Sequence, residues 1–404
     1  MRLVSLMLEN FRGFEHLAVE FHERLTLLVG ANGSGKTSLL SATASLLDRS
    51  LSQGSGSWNF HELGRRVGTE SQPRGHLHLE HEDKRWSVES NHDDQHHRLT
   101  QVTFVGPNGN GQSRSSTGPF TGVACFYRST SDVLTTYRGG AAAPSPVSLS
   151  GNTSLAVFFE WFREREEQEN FIRSRRGDLT FRDAQLQAVR AAVSRRLPGC
   201  SDLHIERNPV RMVVEKEGQL LGVGDLSDGE KRLLAICGDL AARLSLADPQ
   251  ANAPLEGPAV VLIDEIELHL HPGWQRVVLD RLMTTFPGAQ FVVTTHSPVV
   301  IASIEPEMIR VLKNFSVAPF VGHTRGRNAD ALLREVMEVP ERPDDAAAKI
   351  HEIAELIDDE RLPEAREKLG KLAAWLGQED SEIVHLETLI SFLEGERALD
   401  PQGA

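Results

Sequence analysis

The chain has 404 residues, more than the roughly 100–200 of a single domain, so we expect one large domain with an appendage. Its 40% hydrophobic content, the lack of any run of about 18 apolar residues and the lack of a signal-peptide cleavage site exclude a transmembrane protein and favour a cytosolic one. The net charge of −14 lies mainly in residues 326–404, where nine Lys and Arg stand against twenty Asp and Glu, so this segment suits a protein partner better than nucleic acid.

Two short apolar runs, residues 3–8 and 25–29, are bounded by polar and glycine residues and predict two strands. A glycine-rich loop follows the second strand directly. From about residue 76 to 105, apolar and polar residues alternate, which predicts an antiparallel β layer. Two segments rich in Gly, Ser and Pro, 106–118 and 139–152, are predicted to be loops.

Between those loops an apolar run predicts a strand, Val123–Tyr127. The second loop leads into Leu155–Leu197, where apolar residues recur at helical spacing, so we expect a helical lobe inserted at about residues 150–205. The chain then alternates between strand and helix patterns up to a last strand near Ile309–Leu312. This alternation predicts a parallel sheet in an α/β fold.

Residues 326–404 are predicted to form a separate acidic helical domain behind a head formed by residues 1–325. We expect four amphipathic helices there. One of them carries an apolar stripe that needs a neighbour, either within the same domain or on a partner: Leu362, Ala365, Leu369, Leu372, Trp375 and Leu376.

The strongest motif is GANGSGKT, Gly30 to Thr37, which fits the P-loop pattern between a predicted strand and a predicted helix. Glycines allow backbone N–H groups to close around a phosphate, and the helix N-terminus favours an anion. Lys36 is placed to reach the β- and γ-phosphate oxygens of ATP, and Thr37 to ligate Mg²⁺. The predicted nucleotide contacts are Asn32, Gly33, Ser34, Gly35, Lys36, Thr37 and Ser38.

The second motif is AVVLIDE, residues 259–265, an apolar strand that ends in two carboxylates. Asp264 at the strand end can hold Mg²⁺ through its water shell. Glu265 is placed to polarise the water that attacks the γ-phosphate. Together with the P-loop, this motif predicts an enzyme that hydrolyses ATP with Mg²⁺.

Two weaker motifs each leave two interpretations open. In LSDGE, residues 226–230, Ser227 and Gly229 at a helix N-terminus form either a second phosphate-binding site or a simple capped helix start. In TTHSP, residues 294–298, His296 follows an apolar strand predicted to lie beside the Asp264 strand. A lone histidine at the end of a strand is usually structural.

The four motifs occur in the order found in the ATP-binding cassette (ABC) family, and the resemblance covers most of residues 1–312. The N-terminal LENFRGF resembles the opening of the SMC, RecF and OLD branch of that family. The resemblance implies an ABC-type P-loop NTPase head with a mixed sheet, an antiparallel β layer and a helical lobe. It also implies nucleotide contacts for Phe11 and Arg12. A Q-loop glutamine is not identifiable near Phe126 to Ser129, where Arg128 is the nearest polar candidate.

In proteins of that branch the signature motif of one subunit closes on the ATP held by another. The resemblance therefore implies a head-to-tail dimer with two sandwiched nucleotides, and leaves larger assemblies open. It implies that Glu265 is the catalytic base, that His296 senses the γ-phosphate, and that Ser227 and Gly229 act in trans. His269 and His271 take the D-loop position, where they either contact the other subunit or pack within their own.

A bacterial group of ATP-binding proteins, which includes the PtuA ATPases of Septu and retron-Septu phage defence, resembles this chain in four segments: WFREREEQEN, LSDGEKRLLAICGDLAARL, IDEIELHLHPGWQ and FPGAQFVVTTHSP. This resemblance implies an ATPase that holds an HNH nuclease partner in check. The alternative is a RecF- or SMC-like repair ATPase with DNA as its partner, supported by the nine arginines among residues 161–196.

Overall fold

The computed structural model describes residues 1–51, 64, 72–82, 84–91, 101–105, 113–115, 120–129, 144–150, 155–196, 199–319, 322–337 and 342–399. The chain divides into two compact units, Met1–Leu332 and Leu333–Ala404, which we call the head and the tail. Within the described ranges, no helix combines the length and the apolar character needed to cross a membrane.

The strands are β1 (Arg2–Phe11), β2 (Phe14–Glu20), β3 (Leu25–Val29), β4 (Arg74–His81), β5 (Lys84–Asn91), β6 (Gln101–Val105), β7 (Ser113–Ser115), β8 (Val123–Tyr127), β9 (Val147–Ser148), β10 (Cys200–Arg207), β11 (Val210–Lys216), β12 (Gln219–Gly222), β13 (Ala259–Ile263), β14 (Ala289–Thr294), β15 (Ile309–Lys313) and β16 (Ser316–Ala318). The helices are α1 (Lys36–Ser50), α2 (Leu155–Arg176), α3 (Ala184–Arg196), α4 (Asp228–Ala247), α5 (Pro272–Gln275), α6 (Val278–Thr285), α7 (Pro298–Ile301), α8 (Ala329–Met337), α9 (Asp344–Asp358), α10 (Leu362–Leu376) and α11 (Ser381–Leu399).

The centre of the head is a seven-stranded sheet in the order β16-β15-β3-β14-β13-β8-β9. Neighbours from β15 to β9 run parallel, and β16 pairs antiparallel with β15. Every residue of β3, β8 and β13 is buried, because helices or a second sheet cover both faces, and these strands are therefore continuous apolar runs. Parallel strands bring their carboxyl ends to one edge of the sheet, so the segments that follow them meet there.

A second sheet of six strands, in the order β2-β1-β4-β5-β6-β7, is antiparallel and confirms the β layer expected around residues 76–105. Helix α1 shares one apolar core with both sheets, since its Leu40 and Leu47 cluster with Leu6 of β1 and Leu262 of β13. The α/β fold class predicted from the alternation of strand and helix patterns is confirmed.

Three segments differ from the sequence prediction, and the first is β9, Val147–Ser148, which lies inside the loop expected at 139–152 and pairs with β8. Strand β7 lies inside 106–118, expected to be a loop, because β6 supplies its hydrogen bonds and its polar residues carry no alternating pattern. Residues 106–112 and 116–119 lie outside the described residues. The two helices of the lobe end at Arg196, and Cys200–Arg207 is a strand of the antiparallel sheet β10-β11-β12.

The tail has an apolar core of its own, formed between α9, α10 and α11. The α10 stripe expected from the sequence enters this core through Leu362, Ala365, Leu369 and Leu372. Trp375 differs, since it is 51% exposed with Lys349 Nζ 3.9 Å from the centre of its ring. The stripe is therefore mostly covered by the tail's own helices.

Candidate active site

The P-loop connects β3 to α1 at the carboxyl edge of the central sheet. Gly33 and Gly35 adopt positive φ values of 79° and 101°, which favour glycine, and a Cβ on Gly35 would lie 2.4 Å from the Phe14 ring. Asn32 is exposed at the loop, while Ser34 and Lys36 are buried. The first turn of α1 contains no acidic residue. The unpaired N–H groups of this turn favour an anion, and no neighbouring carboxylate in the turn repels it.

Lys36 is 5% exposed, and its Nζ donates to the carbonyl oxygens of Gly30 (2.8 Å) and Ala31 (2.9 Å). Burial lowers the pKa of Lys36 to about 8, although the nearby carboxylates of Asp264 and Glu265 act in the opposite direction. A phosphate group bound at the loop would stabilise the charged form. A negatively charged ligand at the loop would therefore raise the pKa of the Lys36 ammonium group.

Asp264 follows β13 and gathers three hydroxyl groups around its buried carboxylate. Thr37 Oγ1 lies 3.1 Å from both carboxylate oxygens, Thr294 Oγ1 donates to Oδ1 at 2.7 Å, and Ser129 Oγ donates to Oδ2 at 3.1 Å. Hydroxyl and carboxylate oxygens are ligands that Mg²⁺ prefers, so Thr37 and Asp264 fit this ion. At the expected Q-loop position the structure brings Ser129 to Asp264, whereas the Arg128 guanidinium lies 5.5 Å from the centre of the Phe126 ring.

Glu265 adopts a left-handed backbone conformation with φ 51°. Its N–H donates to Thr294 Oγ1 at 2.8 Å, and Arg232 Nη2 donates to the carbonyl oxygens of Asp264 (2.7 Å) and Glu265 (3.1 Å). Burial raises the pKa of Glu265, and the neighbouring Asp264 and Glu267 carboxylates add to this effect. A glutamate with a raised pKa is a stronger base than an ordinary one, which suits proton abstraction from water.

Arg232 and Ser129 were not singled out in the sequence. Arg232 is 4% exposed on α4, a helix that buries four other polar side chains as well: Glu230, Asp239, Arg243 and Ser245. Because charged residues recur along this helix, the sequence pattern does not single out Arg232 as buried. Likewise, nothing distinguished Ser129 from other loop serines.

The LSDGE segment forms a capped helix start. Ser227 is the N-cap of α4 and accepts from Glu230 N, while the Glu230 carboxylate accepts from Ser227 N (2.9 Å) and from Lys216 Nζ (2.6 Å). A Cβ on Gly229 would lie 2.5 Å from the carbonyl oxygen of His269 in the D-loop segment. The helix start and the D-loop of one chain are therefore closely packed, whatever further role Ser227 and Gly229 have.

His296 follows β14, and its surroundings keep the imidazole neutral. Burial lowers the pKa of His296, and the Lys36 ammonium lowers it further. Of the D-loop histidines, His269 has a positive φ of 65°, and His271 Nδ1 accepts from Gly273 N at the start of α5. A neutral imidazole next to the P-loop lysine can donate a hydrogen bond to a phosphate oxygen.

Phe11 and Arg12 lie at the end of β1 and differ in their surroundings. Phe11 is fully buried in the apolar core, whereas Arg12 Nη1 donates to Ser38 Oγ in the first turn of α1 at 3.0 Å. Of the two, Arg12 is therefore the residue beside the P-loop helix.

The P-loop, the strand-end Asp264–Glu265 pair and the parallel sheet between covering layers define an ABC-type P-loop ATPase. Residues 25–302 match the family described as "AAA domain, putative AbiEii toxin, Type IV TA system", and the chain belongs to this family. It is accordingly an ATP-binding and ATP-hydrolysing enzyme, as the first two motifs predicted.

The chain is similar to the retron Ec83 probable ATPase of Escherichia coli, with 27% identity over 480 aligned residues that cover 96% of this chain and 86% of that protein. It is also similar to the Septu protein PtuA of Bacillus mycoides (strain KBAB4), with 34% identity over 114 residues that cover 27% of this chain and 16% of that protein. Among solved structures, an SMC head bound to the C-winged helix domain of ScpA aligns with 16% identity and a TM-score of 0.49, over 76% of this chain and 93% of that one.

Proposed function

We propose that this ATPase closes around ATP and Mg²⁺ as a head-to-tail homodimer and that closure controls a partner effector in anti-phage defence, an HNH nuclease. The observation that carries the defence role is the likeness to a retron ATPase along nearly the whole chain. The nuclease partner rests on the resemblance of the motif segments to Septu ATPases. The cytosolic location expected from the sequence stays a prediction.

The hydrolysis step assigns a role to each group at the sheet edge. Thr37 and Asp264 would hold Mg²⁺, and the ion would stabilise the negative charge of the phosphates during hydrolysis. Glu265 accepts a proton from the attacking water as the bond to the γ-phosphorus forms, and the bond to ADP breaks. Lys36 binds the β- and γ-phosphate oxygens, and neutral His296 donates to a γ-phosphate oxygen.

The dimer is proposed because the signature helix start is preorganised. The capping box of Ser227 and Glu230 and the packing of Gly229 against His269 fix the first turn of α4. The helix dipole favours a phosphate at this end, and Lys216 Nζ, 2.6 Å from Glu230 Oε1, offsets one of the two carboxylates in the first turn, Asp228 and Glu230. ATP drives closure only if its γ-phosphate gains contacts in the closed state, and Ser227 and Gly229 of a second subunit would supply them.

The alternative DNA-binding role loses part of its support in the lobe. Four of the nine arginines at 161–196 form ion pairs, while three others are exposed: Arg175, Arg176 and Arg182. Arg163, Arg165, Arg173 and Arg190 pair with acidic partners inside the lobe at distances of 2.7 to 3.3 Å. Paired arginines have less charge to offer a phosphate backbone. The interpretation of this segment as a continuous basic surface is weakened accordingly.

The dimer is tested with Glu265→Gln, which is nearly isosteric and cannot act as a base. We expect this variant to bind ATP and Mg²⁺, to lose hydrolysis, and to run as a dimer with ATP in size-exclusion chromatography with light scattering. Glu15→Gln, at an exposed position on β2, is the matched control and should hydrolyse ATP normally. Lys36→Ala should stay monomeric. Equal dimer fractions for Glu265→Gln and Lys36→Ala with ATP would contradict the sandwich.

The effector contact is tested on the tail, where exposed apolar residues of α11 lie in an acidic unit. Val384, Leu389 and Phe392 are 49%, 36% and 60% exposed. Changing each to Asp in the full chain should abolish co-purification of an HNH protein encoded beside this gene. Phe171→Asp, at a 63% exposed site of the head, should not. Undiminished capture by the tail variants at physiological salt would place the docking site elsewhere.

A further inference from the structure

Glu267 lies two residues after Glu265 and is bonded to the His296 loop. Its Oε1 accepts the backbone N–H of His296 at 2.5 Å, and its Oε2 accepts the hydroxyl of Thr295 at 2.7 Å. Thr295 is 0% exposed. One carboxylate therefore holds both the side chain before His296 and the backbone of His296 itself.

The other side of the loop is held by a second side chain of the same segment. Gln275 Oε1 accepts from Ser297 Oγ at 2.6 Å, and Gln275 Nε2 donates to the carbonyl oxygen of Leu270 at 2.8 Å. Ser297 also caps α7 by accepting from Val299 and Val300 N–H groups. The loop is thus anchored on both sides of His296 to residues 267–275, the segment that carries the D-loop.

We propose that Glu267 is a positioning residue for ATP hydrolysis, which fixes His296 at the place where its imidazole meets the γ-phosphate. This inference rests on the sensor role of His296 in the proposed function. Both carboxylate oxygens of Glu267 accept hydrogen bonds from the loop, so its effect on hydrolysis is expected to pass through the loop.

The geometry explains why a carboxylate occupies this position. A carboxylate offers two acceptor oxygens in a fixed relation, which satisfies an N–H group and a hydroxyl on adjacent residues, and hydrogen bonds to an ionised acceptor are about twice as strong as neutral ones. A glutamine at this position keeps one acceptor oxygen for His296 N–H, and its amide can donate to the Thr295 hydroxyl. An alanine removes both contacts.

The expected effects separate positioning from loss of folding and from loss of charge. Glu267→Ala should lower kcat by about 10- to 100-fold, because a γ-phosphate donor is misplaced rather than deleted. Its affinity for ADP should stay within about twofold of wild type, because ADP lacks the γ-phosphate. Glu267→Gln should recover most of the lost kcat.

A double-variant cycle checks the route of the effect. If Glu267 acts through His296, then Glu267→Ala adds little loss in a His296→Ala background, because the two changes remove one contribution. The measurements are steady-state ATP hydrolysis and ADP titration of the full-length chain, with thermal unfolding to show that each variant is folded. The chain offers Gln275→Ala as a comparison, which releases Ser297 and leaves the Glu267 contacts in place.

Four results would overturn the proposal: wild-type kcat in Glu267→Ala, equal loss in Glu267→Gln and Glu267→Ala, fully additive losses in the cycle, or a loss of ADP affinity as large as the loss of kcat. Failure of the proposed function looks different, since Glu265→Gln would then retain hydrolysis or fail to dimerise with ATP.

Discussion

The buried ion pair of Asp239 and Arg243 links the signature helix α4 to the central sheet. Asp239 is 0% exposed, and its carboxylate accepts from Arg243 Nε (2.7 Å), Arg243 Nη2 (2.8 Å) and Tyr127 Oη (2.9 Å). Burial is the largest single influence and disfavours the charged guanidinium, but the Asp239 carboxylate together with Cys125 and Tyr127 raises the pKa of Arg243. The Tyr127 carbonyl accepts the N–H of Asp264 at 2.8 Å, so the network reaches the end of β13.

We expect Asp239→Asn to lower the free energy of unfolding of the head by about 3–5 kcal/mol, because it leaves a buried guanidinium without its counter-charge. Asparagine is nearly isosteric with aspartate, so no cavity contributes. Tyr127→Phe removes one hydrogen bond to a charged acceptor and should cost about 1.5–3 kcal/mol. The double variant Asp239→Leu with Arg243→Met removes both charges and should recover most of the Asp239→Asn loss.

Urea unfolding followed by tryptophan fluorescence measures these differences. Only Trp375 of the five tryptophans lies in the tail, so every protein compared carries Trp375→Phe and the signal reports on the head. A loss below about 1 kcal/mol for Asp239→Asn would refute the reasoning. So would a double variant as unstable as the single one.

Burial lowers the pKa of Lys36 to about 8, so ATP binding at pH 9 should take up a proton and be weaker than at pH 7. Calorimetry in buffers of different ionisation enthalpy measures that uptake, and identical heats at pH 9 would contradict it. Lys36→Ala should abolish tight ATP binding, which equilibrium titration checks, since near-normal affinity would count against the P-loop role. Gly229→Ala places a Cβ 2.5 Å from the His269 carbonyl oxygen and should lower the free energy of unfolding by about 1–3 kcal/mol in the absence of ATP. Urea unfolding measures this loss, and a curve that coincides with that of wild type would contradict it.

The fold and the outline of the site follow from local patterns. The buried strands β3 and β13 are short apolar runs, and the segment directly after each strand carries the residues that bear the chemistry. Position along the chain was therefore enough to find Lys36, Asp264 and Glu265. Such motifs combine a backbone requirement with a chemical one in a few consecutive residues. They can be recognised without knowing what packs against them.

The supporting groups could not be found in this way. Glu267, Arg232 and Asp239 act on partners 28 to 112 residues away in the chain, at distances that only the sheet order creates. In the sequence they resemble the charged residues of any helix or loop. Likewise β7 forms because β6 offers a free edge, and its own residues do not indicate a strand.

The place of β3 in the sheet also bears on how the chain is made. β3 pairs with β14 on one side and with β15 on the other. The first of these neighbours, β14, is synthesised about 260 residues after β3, which takes about 13–50 s at usual rates of translation. β1 and β2 can pair at once, since they are adjacent hairpin strands. The nascent chain therefore carries an apolar, unpaired strand through most of its translation. The strand before the P-loop gains both of its neighbours only after residue 313 has emerged.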